Sequence, residues 1–138
     1  MIVTYRPELP VPGTLDSGIY LIEYIIPNGV QNISHPAPGK PYVGCQFQAF
    51  VPATEEGSNV LKLLRVAFLR RLTFTIDKDQ KTSWNGIYLL LHNINQHIVP
   101  NYLKKVTAEL NAKGVTMDNL TQEELDDWEK LRQQLIKQ

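Results

Sequence analysis

A single cysteine among 138 residues closes two routes to stability. Cys45 has no partner for an internal disulfide, and a cysteine-rich zinc site has no ligands to draw on. Excess charge of either sign is also missing: 14 basic residues balance 14 acidic ones, so the chain carries no global attraction to nucleic acid or anionic membrane. No apolar run approaches the roughly 20 residues that cross a bilayer as a helix. Near the start, Pro7, Pro10 and Pro12 interrupt any basic-then-apolar leader pattern, so an intracellular setting, cytoplasmic or nuclear, is expected. A phosphate-binding glycine-rich loop, a serine nucleophile elbow and a paired-histidine metal motif are all lacking, and no metal site is expected. The three histidines are His35, His92 and His97. The last two stand five apart, which is not the one-face spacing of a helical zinc pair.

What is present reads as one domain with one core. Hydrophobic residues make up 43%, ordinary for a globular chain of this length. Ile2–Tyr5 and Ile19–Ile26 have strand composition, and Pro27-Asn28-Gly29 ends the second with turn chemistry. Val30–Ile33 is expected to return as a second arm. His35–Tyr42, with three prolines and a glycine, is irregular, and Val43–Val51 extends again up to Pro52. Thr54–Leu72 is the strongest helix. Thr54 is its expected N-cap, Glu55 and Glu56 suit its first turn, and Arg70 and Arg71 suit its last. Leu61, Leu64, Phe68 and Leu72 share one face, which Leu63, Val66, Ala67 and Leu69 widen, as in a central, heavily covered helix. Strand composition resumes at Thr73–Ile76. Asp77–Lys81 is a polar turn, and Thr82–Tyr88 is extended or mixed. A helix over Asn101–Ala112 follows Pro100 and closes with Gly114 at C′. The last helix begins at Thr121, which with Glu124 forms a capping box, and its stripe runs through Leu125, Trp128, Leu131 or Arg132, and Leu135. Early strands and late helices without regular alternation indicate an α+β domain: a mixed or antiparallel sheet packed on a central basic amphipathic helix, with an added C-terminal helix.

Charge is unevenly distributed. Lys62, Arg65, Arg70 and Arg71 fall in one helical window; Glu123, Glu124, Asp126, Asp127 and Glu129 fall in another. Two solvated helix faces that attract each other account for this better than a nucleic-acid stripe, which would interleave aromatics with the basic residues. His35 lies in a proline-rich turn, where a structural hydrogen bond is the plainer role. Trp84 is either core or the wall of a ligand pocket, and Tyr102 shares that ambiguity. Glu109 borders its helix's apolar stripe, where pairing with Lys105 or Lys113, each four residues away, is the alternative to a functional carboxylate.

Several short motifs, in order, carry a resemblance. They are Pro38-Gly39-Lys40-Pro41-Tyr42, the leucine-rich basic segment Val60–Phe68 running on to Phe74-Thr75-Ile76, Trp84-Asn85-Gly86-Ile87, Pro100-Asn101-Tyr102-Leu103 and Glu109-Leu110-Asn111-Ala112-Lys113-Gly114-Val115. Residues 1–116 resemble the C-terminal domain of the deltex ubiquitin ligases; residues 117–138 read as a helical extension. The resemblance implies an α+β fold that stands beside a RING, binds ADP-ribose and NAD as dissociable ligands, and takes part in ubiquitin transfer and ADP-ribosylation of ubiquitin. It places the family's functional glutamate at Glu109, a candidate base or ribose-orienting group, and puts Trp84, Asn85, Tyr88, His97 and Tyr102 around a nucleotide.

The pattern also departs from the family. After Trp-Asn-x-Ile the family has His-His-Lys-Thr, whereas this chain has Tyr88-Leu89-Leu90-Leu91. Tyr88 replaces a pocket histidine; it can donate a hydrogen bond or stack, but it is a poor base near neutral pH. The family's second histidine stands five before the proline of Pro-Asn-Tyr-Leu, while His97 stands three before and His92 eight. The loop between Ile76 and Trp84 is shorter than the family's. A RING cross-brace needs about eight Cys and His ligands, and these residues supply one Cys and three His, so ubiquitin transfer would require a partner ligase or a RING elsewhere. Two expectations follow: a module that binds ADP-ribose or NAD in a ubiquitin or ADP-ribosylation context, or a decayed pocket kept as a protein-interaction scaffold, working through the Trp128 helix.

Overall fold

The computed structural model describes residues 1–8, 18–87 and 102–137. Its largest sheet has three antiparallel strands in the order β1 (Ile2–Arg6), β2 (Ile19–Ile26), β5 (Cys45–Pro52). Registers Val3↔Ile22 and Tyr5↔Tyr20 on one side, and Tyr20↔Val51, Ile22↔Ala49 and Tyr24↔Phe47 on the other, align one apolar face across all three strands. The side-chain alternation of strands puts these residues on the same side. That face packs on α1 (Glu55–Leu69), whose Val60, Leu61, Leu63, Leu64, Val66 and Ala67 are all buried. Burial of so much of its circumference explains why α1 shows apolar residues beyond a single stripe.

Two hairpins complete the β structure. The short strands β3 (Gly29–Val30) and β4 (Pro41–Tyr42) pair antiparallel, as do β6 (Phe74–Ile76) and β7 (Thr82–Trp84). Of the expected second arm at Val30–Ile33 only Val30 lies in a strand, and it pairs with Pro41, after the proline turn. The turn itself is organised by Gln31, which is buried. Its backbone N–H donates to Lys40 O, its carbonyl accepts from Gly39 N–H, its Oε1 accepts from Ala37 N–H, and its Nε2 donates to Oε1 of Gln80 in the β6–β7 turn. Asn32 N–H donates to Nδ1 of His35 at 2.9 Å, so this histidine has the structural role expected of it.

Thr54 caps α1 by accepting from Gly57 N–H at 3.0 Å. At the other end the helix stops at Leu69, so neither Arg70 nor Arg71 stands in its last turn as expected. Arg70 is the C-cap, and Arg71 takes the left-handed conformation with φ of 61°. Arg71 N–H then reaches Phe68 O, and Leu72 N–H reaches Ala67 O, the two bonds of a Schellman closure. Helix α2 (Tyr102–Ala112) ends in the same motif, with Gly114 at C′ (φ 83°) and Val115 N–H on Leu110 O. Helix α3 (Gln122–Ile136) begins with the expected capping box: Thr121 and Glu124 satisfy each other's backbone N–H groups. Trp128 and Leu135 of α3 are buried in the common core, and the two attracting charged faces meet as ion pairs. Arg65 grips both oxygens of Asp127 at 2.8 and 3.0 Å, and Arg70 grips both of Glu124 at 2.7 and 2.8 Å. The domain is α+β as expected, and its three named sheets are antiparallel. No helix among the described residues is long and apolar enough to cross a membrane.

Candidate functional site

The β6–β7 hairpin delivers Trp84, Asn85 and Gly86 to the end of α2. Trp84 is half-buried on an aromatic cluster, edge-on to Tyr24 at 5.7 Å between ring centroids, and 5.0 and 4.7 Å from Phe47 and Phe74. Such tilted and edge-on pairings suit the ring quadrupoles and fix the indole's orientation. Trp84 therefore contributes to the core and keeps an exposed part as well. Asn85 is locked in place by two bonds back to the end of the α1 closure: its N–H donates to Thr73 O at 2.9 Å and its Nδ2 to Leu72 O at 3.3 Å. Gly86 then turns with φ of 78°, a conformation that favours glycine, and buried Ile87 follows.

Across from this turn lies the C-terminal end of α2. A side-chain carbon added to Gly86 would stand 3.2 Å from Cε and 3.4 Å from Nζ of Lys113. The ammonium of Lys113 thus lies over the turn. Glu109 precedes Lys113 by four residues, about one helical turn. It is half-buried, and its Oε1 is closed off from solvent. The arrangement places the Lys113 ammonium over the turn that carries Trp84 and Asn85, with the Glu109 carboxylate about one helical turn away.

Tyr102 is at the opposite end of α2. It is 6% exposed, and its hydroxyl donates to Phe50 O on β5 at 3.2 Å. Seven residues at 1.5 Å per residue separate it from Glu109 by about 10 Å, so its side chain anchors the helix rather than joining the Gly86 turn. Tyr88 and His97, with His92, lie outside the described residues. The sequence suggests Lys113 only as a partner for Glu109, and its place within Glu-Leu-x-Ala-x-Gly-Val is the signal that marks it for more. Among the described residues, no group of three or more His, Cys, Asp or Glu side chains is placed to hold a metal ion.

Comparison with known proteins gives a consistent result. The family description "Deltex C-terminal domain" matches residues 1–115. The chain is 37% identical over 129 residues to a probable E3 ubiquitin-protein ligase, DTX3, of Homo sapiens, covering 86% of this chain and 37% of that protein. It is 37% identical over 126 residues to the E3 ubiquitin-protein ligase DTX4 of Mus musculus, covering 82% of this chain and 20% of that one. With DTX1 of Mus musculus it is 38% identical over 119 residues, covering 77% and 19%. The chain therefore spans less than two-fifths of the length of these relatives.

Proposed function

Because the chain belongs to the Deltex C-terminal domain family, we propose that it is a nucleotide-binding module of the ubiquitin pathway that takes ADP-ribose, or NAD through its ADP-ribose portion, at the end of α2. The observation that carries this reading is the packing of Lys113 over the Trp84-Asn85-Gly86 turn, one helical turn from Glu109. In this reading the exposed part of the Trp84 ring stacks on the adenine, a carboxylate oxygen of Glu109 accepts from ribose hydroxyls, and the Lys113 ammonium faces the diphosphate. Glu109 could also take a proton from a hydroxyl it already binds, which makes it the candidate base of any transfer step. Ubiquitin, or a ubiquitin ligase carrying a RING, is the proposed protein partner.

The scaffold reading would place a protein partner on α3. Trp128 itself is 7% exposed and belongs to this domain's own core, so a partner of this helix would meet its exposed face instead.

Titration calorimetry of the domain with ADP-ribose, NAD and AMP tests the nucleotide reading. Binding at about 1 µM corresponds to roughly −8 kcal/mol. Glu109→Gln, which preserves shape, should weaken ADP-ribose by about tenfold, or about 1.4 kcal/mol, without lowering Tm comparably. Absence of heat, with no amide chemical-shift change at Asn85, Gly86 or Lys113, would overturn the reading.

A further inference from the structure

Three helix ends meet at one guanidinium. Arg70, the C-cap of α1, donates from Nε and Nη2 to the two oxygens of Glu124 in the first turn of α3. From Nη1 it donates to Gly114 O, the carbonyl of the α2 C′ residue, at 3.2 Å, and from Nη2 to Asn119 O in the α2–α3 connection at 3.0 Å. Asn119 Nδ2 reaches the same Gly114 carbonyl at 2.6 Å. Gly114 follows directly on Lys113, the residue that covers Gly86. A continuous set of contacts therefore runs from the α3 capping box, through Arg70 and Gly114, to the Trp84-Asn85-Gly86 turn. Glu124 and Asn119 both lie beyond residue 115, where the family match ends.

We infer that Arg70 is a positioning residue for the nucleotide site, through which the α3 segment holds the Glu109–Lys113 end of α2 against the Gly86 turn. The inference rests on the site proposed above and adds a means by which the extension tunes it. A bidentate fork suits this task because it fixes the plane of the guanidinium, leaving the third nitrogen aimed at Gly114. The structure also contains its own control. Arg65 grips Asp127 with a fork of similar length and joins the same two helices, but the hydrogen bonds of that fork do not extend to α2. A merely structural role for Arg70, as a clasp between α1 and α3, predicts that the two arginines behave alike.

The experiment compares Arg70→Met, Arg70→Lys, Glu124→Gln and Arg65→Met in the full chain by amide chemical shifts and ADP-ribose titration. Glu124→Gln retains an acceptor for Thr121 N–H and so preserves the cap if Arg70→Met fails to fold. The expected result is a Gly86 amide shift in Arg70→Met, smaller in Arg70→Lys and Glu124→Gln, with ADP-ribose weakened on the order of tenfold in Arg70→Met. Arg65→Met should lower Tm and leave Gly86 and the affinity unchanged. An unmoved Gly86 across the Arg70 and Glu124 variants, or an equal shift in Arg65→Met, overturns the inference. Should the unaltered chain take no ADP-ribose, the nucleotide reading falls, and the Gly86 shift alone still decides whether Arg70 positions this end of α2.

Discussion

The two ends of α2 share apolar burial but differ in what is added to it. At the N-terminal end, Tyr102 buries its ring in the core and places its hydroxyl on the β5 backbone. At the C-terminal end, Leu110 and Val115 are fully buried as well, and a polar set is added near the surface: a left-handed Gly114, the Arg70 guanidinium on its carbonyl, and Lys113 over Gly86. Apolar burial along the helix, from Tyr102 through Val106 to Leu110, is strong and non-directional, so it decides that the helix docks. Hydrogen bonds are individually modest and directional, so the polar set at the second end decides where the last turn points. The candidate site is built on the second end, where small changes in sequence can redirect side chains without unfolding the domain.

The largest way to break this comparison is Tyr102→Ala. Loss of a buried aromatic should cost about 3 kcal/mol or more, read as a lower urea midpoint, whereas Tyr102→Phe, which removes only the hydroxyl, should cost about 1 kcal/mol. Next comes acid. The guanidinium of Arg70 and the Thr121 amide hold the Glu124 carboxyl down at about 2, against its ordinary 4.5. A depressed folded-state value means that the stabilisation is present above pH 4.5 and is lost as pH falls from 4.5 toward 2. Allowing for solvent screening, unfolding free energy should drop by about 1–2 kcal/mol across that window, and Glu124→Gln should flatten this part of the profile. Gly114→Ala, forced into a left-handed φ, should cost about 1 kcal/mol by thermal unfolding. Smallest, and opposite in sign, is Arg71→Gly. Relief of the strained C′ position should stabilise by about 0.5–1 kcal/mol in the same assay, and a loss instead would show that the arginine side chain makes a compensating contact.

Features set by neighbouring residues were legible in the sequence. Strand β2 has the expected bounds, Thr54 caps α1, the Thr121–Glu124 box forms, and Gly114 closes α2, because each depends on residues within a few positions. The end of α1 was misplaced for a local reason as well. Charge complementarity favoured Arg70 and Arg71 inside the helix, and nothing nearby marked Arg71 as a left-handed residue. Long-range geometry was less accessible. The charged windows indicated that α1 and α3 attract, but Arg65 and Asp127 are 62 positions apart, and which arginine meets which acid is decided by packing. The same holds for the candidate site. Trp84, Asn85 and Glu109 stood out through their motifs, whereas the position of Lys113 over Gly86 depends on how α2 meets the β6–β7 hairpin.

Gln31 has a consequence for the order in which the chain takes shape. Three of its hydrogen bonds stay within the loop that ends at Lys40, so they can form as soon as that loop has been synthesised. The fourth is to Gln80, 49 positions later and beyond the whole of α1. A nascent chain that has emerged only through Asp79 leaves this amide without its distant acceptor. The proline turn and the β6–β7 turn are thus tied to each other across the whole of α1, so the loop has its full set of bonds only when the hairpin is in place.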